Sequence, residues 1–275
     1  MREILIHAHL PKCGGSTLNL ILRNNFGRRF RGIYDLPIKK RFSSAEVRAL
    51  IEKEPAISCF ASHSFSLDLP FSDSGFALRA IAFVRNPVQR FLSHYFYHRN
   101  HTRLVPQARD LRLEDYISYA LRDGNKPTYI DGQTLLLSGS ADAAGLERIQ
   151  RLLADKQLLL FPLEHFDRVC ILLEKMFPDA LRDCSYMRVR VSRKDQVPAS
   201  RMIDAIRSFA RHDNELWQMA HQHLGRLLPL HFGSVAAVEE RVQAFQRRCR
   251  GALPRLFLLR AMRFLRRHAA ARARA

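Results

Sequence analysis

Short unbroken apolar runs alternate along this chain with stripes of apolar residues at helical spacing. Ile4, Leu5 and Ile6 predict a buried strand, and Leu18, Leu20, Ile21 and Leu22 predict the inner face of a helix just after it. Ser43-Ser44-Ala45-Glu46 is a helix start, followed by Val47, Leu50 and Ile51 at helical spacing. Ala56 to Ala61, Leu78 to Val84 and Gln157 to Pro162 read as three further strands. Asn86 as N-cap and Pro87 as first helical residue open a helix behind the third strand. Further helices are predicted over Glu114 to Leu121, from Phe166 to Phe177, over Arg201 to Ala210 and over Asn214 to Leu224. Arg28 to Arg41, basic and aromatic, reads as an exposed loop, and His98 to Lys126 reads as a basic, aromatic and polar stretch around the Glu114 to Leu121 helix. Strands alternating with helices imply an α/β fold, three layers α/β/α with a mainly parallel central sheet.

Composition narrows this picture only a little. At 275 residues and 47% hydrophobic, the chain can bury one substantial core. It shows no repeat and no uninterrupted apolar run of about eighteen residues. The charged start Met1-Arg2-Glu3 leads directly into a strand and does not read as a signal peptide, so a cytoplasmic enzyme is expected. Cys13, Cys59, Cys170, Cys184 and Cys249 are odd in number, widely spaced and without a C-x-x-C pair, which argues for reduced thiols. The formal charge of +19 is uneven: no acidic residue follows Glu240, and eleven arginines do. A basic tail and a body with its own positive balance both favour anionic ligands.

The chemistry-bearing residues sit where predicted strands end. His9-Leu10-Pro11-Lys12-Cys13-Gly14-Gly15-Ser16-Thr17 joins the first strand to its helix, a place with unpaired backbone N–H groups and the positive end of a helix dipole, suited to phosphate or sulfate. Lys12 precedes the glycines, unlike the lysine of a Walker loop, so it would reach the anion from the strand side. A glycine turn with a solvated lysine is the plainer alternative. Ser62-His63-Ser64-Phe65 follows the second strand, and a neutral His63 there could accept a proton near neutral pH. Arg85 closes the third strand, and Ser93 lies about two turns into the next helix, within reach of an anion held by Arg85.

The first loop together with Phe83-Val84-Arg85-Asn86-Pro87-Val88-Gln89-Arg90-Phe91-Leu92-Ser93-His94-Tyr95 resembles the 5′-phosphosulfate loop and the 3′-phosphate motif of sulfotransferases that use 3′-phosphoadenosine 5′-phosphosulfate (PAPS). The relatives it is most similar to are carbohydrate sulfotransferases of the heparan sulfate 2-O-sulfotransferase type and their bacterial cousins. The resemblance covers about residues 3 to 225. It implies the P-loop-NTPase-like sulfotransferase fold and does not reach the tail; a catalytic domain is expected over residues 1–250, with a basic amphipathic tail over 251–275. It implies PAPS as donor, 3′-phosphoadenosine 5′-phosphate (PAP) as product, no metal, and a hydroxyl of a saccharide or glycolipid as acceptor. Lys12, Cys13, Gly14, Gly15, Ser16 and Thr17 would hold the 5′ end of the donor, Arg85 and Ser93 its 3′-phosphate, and Arg193 and Lys194 would lie over the nucleotide. His63 would be the base and Lys12 would neutralise the leaving oxygen. Gln133, Glu164 and Tyr97 would lie near the acceptor.

The tail projects as a basic amphipathic helix at about 100° per residue. Arg255, Arg260, Arg263, Arg266 and Arg267 share one side, and Phe257, Leu258, Ala261, Met262, Phe264 and Leu265 the other. Docking of the apolar face on the body and contact with an anionic inner membrane face are both open, and nucleic acid is disfavoured for want of a binding motif. Two rival functions stand beside sulfuryl transfer. One is a nucleotide-dependent phosphotransferase, disfavoured by the position of Lys12 and the lack of carboxylates for magnesium. The other is a noncatalytic binder of polyanions or membranes acting through the arginine tail.

Overall fold

The computed structural model describes residues 2–34, 41–67, 76–100, 109–122, 126–188 and 198–272. Within them a five-stranded sheet is built from β1 (Glu3–Ala8), β2 (Phe30–Ile33), β3 (Cys59–Ser62), β4 (Ala77–Val84) and β5 (Leu158–Pro162). The strand order is β2-β3-β1-β4-β5 and every pairing is parallel. A parallel sheet covered by helices buries both faces of its strands, which is why β1, β4 and β5 read as apolar runs.

Helices cover this sheet. α1 (Gly15–Phe26) packs on β2 and β3; α2 (Ser44–Lys53) carries a capping box in which Ser43 and Glu46 satisfy each other's backbone. α3 (Pro87–Asn100), α4 (Leu113–Ala120), α5 (Lys126–Tyr129), α6 (Gly132–Ser138) and α7 (Ala143–Ala154) lie between β4 and β5 in sequence. α8 (Phe166–Met176), α9 (Ser200–Ser208), α10 (Arg211–Phe232) and α11 (Val235–Arg272) complete the chain. α7 and α10 pack on β5, and α11 packs on α8. A smaller second core joins Phe91, Leu92, Tyr95 and Phe96 of α3 to Tyr116 of α4 and Met202 and Ile206 of α9. α3 thus runs from the sheet edge into the second core, which fixes its direction at the point where β4 ends.

The expected loop from Arg28 contains an edge strand, β2, which pairs with β3 alone and has no fully buried residue. The expected division between residues 1–250 and 251–275 falls within α11, which runs from Val235 to Arg272 with Pro254 inside it. Proline removes one helix donor, but Leu256 is buried like Val238, Val242 and Phe245 before it, and Arg255 pairs with Asp183. Docking on both sides of Pro254 holds the helix together. Two alternatives are open for the tail's apolar face; the buried line set upstream continues through Leu256 and leaves Phe257 and Leu258 turned to solvent.

Several histidines are buried without charge. Burial pulls His7, His98 and His223 down to about 4, and pulls His94, which also faces Arg90, well below the usual histidine value. Such groups stay neutral in the folded chain while the unfolded chain takes up protons below its ordinary value of about 6.5. Stability is therefore full above about pH 6.5 and falls as the pH drops toward 4, by on the order of 3 kcal/mol for fully buried His7 alone. Urea midpoints at pH 7 and pH 5 are expected to differ strongly, the lower at pH 5; equal midpoints would contradict this burial.

Candidate active site

Four parallel strands bring their carboxyl ends to one edge. Ala8 of β1 lies level with Ser62 of β3, and Val84 of β4 level with Pro162 of β5, so His9, His63, Arg85 and Leu163 all leave the sheet on the same side. Chain order reverses about β1, which has β3 on one side and β4 on the other, and in open α/β sheets that is where ligands collect.

Residues 9–14 form the loop between β1 and α1. Lys12 and Gly14 both take left-handed backbone, at φ 67° and 76°, so the chain doubles back and enters α1 at Gly15. A Cβ on Gly14 would strike Leu163, and one on Gly15 would overlap the His9 ring, which explains both glycines by close approach. The first helical bonds run from Thr17 and Leu18 N–H to the Gly14 carbonyl. Helix geometry therefore leaves the Gly15 and Ser16 amides without acceptors in their own helix, and those amides carry the positive end of the dipole. Lys12 is half-buried and its Nζ lies 3.9 Å from the centre of the Tyr97 ring, a cation–π contact that tethers the ammonium at the loop.

The second motif grips the first through its backbone. Arg85 Nη1 donates to the Lys12 carbonyl at 3.2 Å, and Arg90 Nε donates to the Pro11 carbonyl at 3.3 Å. Burial draws the Arg85 guanidinium below its ordinary value, opposed by the nearby Glu164 carboxylate; as an arginine it remains a cation. Arg90 is buried and paired at 3.8 Å with Asp213 at the start of α10. Asn86 caps α3 by accepting from Gln89 N–H at 3.3 Å, as the sequence implies.

On the other flank, His63 is half-buried and its Nδ1 donates to the His9 carbonyl at 2.6 Å. That bond puts the proton on Nδ1 and the lone pair on Nε2. Its ring lies 4.2 Å from that of His9 and 5.1 Å from that of Tyr34. Behind it, Tyr34 OH meets His9 Nδ1 at 2.9 Å, Asn19 Nδ2 donates to Tyr34 OH, and His7 Nδ1 donates to Asn19 Oδ1 at 2.7 Å. His63 thus rests on a framework of fixed rings.

Lys12, Gly14, Gly15, Ser16, Thr17, Arg85, His63 and Tyr97 are brought together at this edge. Ser93 lies buried on α3 beyond Arg90. Arg193 and Lys194 lie outside the described residues. Three of the expected residues have partners inside the fold. Cys13 turns inward: its thiol donates to Gln133 Oε1 at 3.2 Å, and burial pushes it up to about 12, so it is a packing group held as a thiol. Gln133 is wholly buried rather than facing an acceptor; its amide accepts from Arg85 N–H at 2.8 Å and donates to Arg85 C=O at 3.0 Å. Glu164 accepts from Asn86 N–H at 2.9 Å and Trp217 Nε1–H at 3.1 Å, bracing the turn into α3.

Two residues that local pattern did not single out complete the support. Asp213 accepts from Gln133 N–H, Thr134 N–H and Thr134 Oγ1 while facing Arg90, and so ties α6 and α10 to the motif after β4. His94 is buried with neither ring nitrogen bonded to a partner among the described residues, as is Arg90 Nη2. The signal for Asp213 lay in an acid beside a helix start, but its partners stand far away in sequence. Among the described residues, no cluster of three or more His, Cys, Asp or Glu could hold a metal ion.

Residues 2–136 match the Sulfotransferase family. That stretch holds Lys12, His63, Arg85, Arg90, Tyr97 and Gln133, and ends within α6. An uncharacterized protein of Archaeoglobus fulgidus is 36% identical over 107 residues, covering 36% of this chain and 40% of that protein. The chain thus spans about two fifths of the length of this curated relative. A crystal structure of a sulfotransferase from Alicyclobacillus acidocaldarius is similar over 80% of this chain and 96% of that one, at 13% identity and a TM-score of 0.46.

Proposed function

We propose that this protein moves a sulfuryl group from PAPS to a hydroxyl of a carbohydrate or glycolipid, with His63 as general base. The observation that carries the reading is the joining of two cationic motifs across the sheet edge: Arg85 donates to the carbonyl of Lys12, with His63 level on the next strand. The sulfotransferase match over residues 2–136 supports the reaction class.

The residues fit a nucleotide with anionic groups at two positions. Amides of Gly15 and Ser16 at the start of α1, with Lys12 beside them, suit the 5′ end. Arg85 suits the 3′-phosphate, a group that ATP lacks, and Ser93 is the hydroxyl assigned beside it. Buried polar atoms of Arg90 and His94 that have no partner among the described residues accord with a charged ligand near this face of α3. Bound PAPS supplies an activated sulfuryl group that needs no metal from the protein.

The chain's own part is positioning and charge. Lys12, held by its strained backbone and by Tyr97, neutralises negative charge developing on the leaving oxygen. His63 takes the acceptor's proton on Nε2 while its Nδ1–H stays bonded to the His9 carbonyl, so the ring need not turn during the reaction. Arg193 and Lys194 are assigned as further phosphate contacts on the resemblance alone.

The acceptor class rests on the sequence resemblance, because a positive site is required by the donor in any case. Transfer of labelled sulfate from PAPS to a panel of polysaccharides, glycolipids and small alcohols tests the proposal. Labelled product from a saccharide or glycolipid is expected; label on small alcohols only would overturn the acceptor assignment, and no transfer to any of them would overturn the reaction.

A further inference from the structure

We propose that the carboxyl-terminal part of α11 seats the protein on an anionic lipid surface, with Phe257, Leu258 and Met262 entering the interface. The inference does not depend on the sulfuryl-transfer reading. It rests first on the phase of the helix. Val238, Val242 and Phe245 face the body, and Leu256 continues their line and is 1% exposed. Arg248 and Arg255, on the same side, pair with Asp183. The phase is therefore set by the docked part of the helix, and it turns the opposite side outward.

What is turned outward is apolar. Phe257 is 57% and Leu258 61% exposed, and Met262 adds to the same strip one turn on. The core would take such side chains if the helix were rotated, yet the register fixed upstream denies them that place.

Charge decides the occupant. From residue 241 on the chain has eleven arginines and no acidic residue. A second copy would set two such cationic segments against each other, which is unfavourable. Nucleic acid would use the arginines and leave the Phe257–Leu258 strip in water. An anionic bilayer surface uses both: apolar side chains sink to the acyl boundary, and arginines on the flanks reach lipid phosphates. No described helix is long and apolar enough to cross a membrane, so the contact is one of lying on the surface.

The full chain would be sedimented with phosphatidylcholine vesicles with and without phosphatidylglycerol. The bound fraction is expected to rise about tenfold with the anionic lipid and to fall back in a Phe257→Ser/Leu258→Ser double variant, which keeps every charge. Both positions are exposed, and an unchanged circular dichroism spectrum and urea midpoint would show that the variant is folded. Equal binding to both vesicles would overturn the proposal, and so would a double variant that binds like the wild type. A dimer by light scattering that the double variant dissociates, with vesicle binding unaltered, would assign the strip to a second copy.

Discussion

Arg85→Ala should lower the affinity for PAP by about 100-fold while weakening ADP binding only a few-fold, because the 3′-phosphate loses charge-assisted hydrogen bonds of about 1.5–3 kcal/mol each. A smaller loss for ADP is expected because Arg85 also steadies the loop, through the bond from its Nη1 to the Lys12 carbonyl. The side chain reaches outward from a fixed base, since Gln133 pairs with both the N–H and the C=O of Arg85, and Asp213 holds Gln133. Arg85→Lys is expected to recover little, as an ammonium lacks the planar fork of spaced N–H donors with which a guanidinium reaches the carbonyl and a phosphate together. Isothermal titration of both nucleotides on the three proteins checks this. Equal losses for PAP and ADP would reduce Arg85 to a brace for the loop.

His63→Ala should lower turnover by about 10²–10⁴-fold, the usual contribution of a positioned base, with PAP affinity unchanged. The change removes the bond to the His9 carbonyl as well as the ring, so His63→Asn is the sharper variant: its amide can still donate there but cannot take a proton. Both variants are expected to be similarly slow. Wild-type turnover by either variant would remove His63 as the base and leave the donor assignment standing.

The sheet was legible where strands are buried on both faces. Ile4–Ile6 and Leu78–Val84 announce themselves as apolar runs, and the turns after them carry the glycines and the Asn-Pro pair that launch α1 and α3. β2 was not legible, because an edge strand of four residues beginning at Phe30 forms by pairing its backbone with β3 and needs no apolar run of its own. Lys12, His63 and Arg85 could be found since each ends a strand. Gln133 and Asp213 could be noticed but not understood. An amide on a helix and an acid at a helix start look solvated in sequence, and only the fold brings them together beneath Arg85. Glu164 stands at a strand end like the others, but its two oxygens accept from the turn into α3 and from the Trp217 indole, partners distant in sequence that only the fold brings to it.

The tail shows a different limit. Its amphipathic pattern was plain, yet which side meets the body depends on Val238, Val242 and Phe245, upstream of the segment that carries the pattern. A pattern gives the two sides of a helix; packing elsewhere sets its rotation.

The central claim is that Lys12 with the start of α1 and Arg85 at the end of β4 hold the two ends of one nucleotide. Titration of the wild-type protein with PAP and with ADP, in the same buffer and salt, tests it most directly. PAP is expected to bind at least about tenfold more tightly, the equivalent of one additional charge-assisted hydrogen bond. Equal affinities would contradict the account.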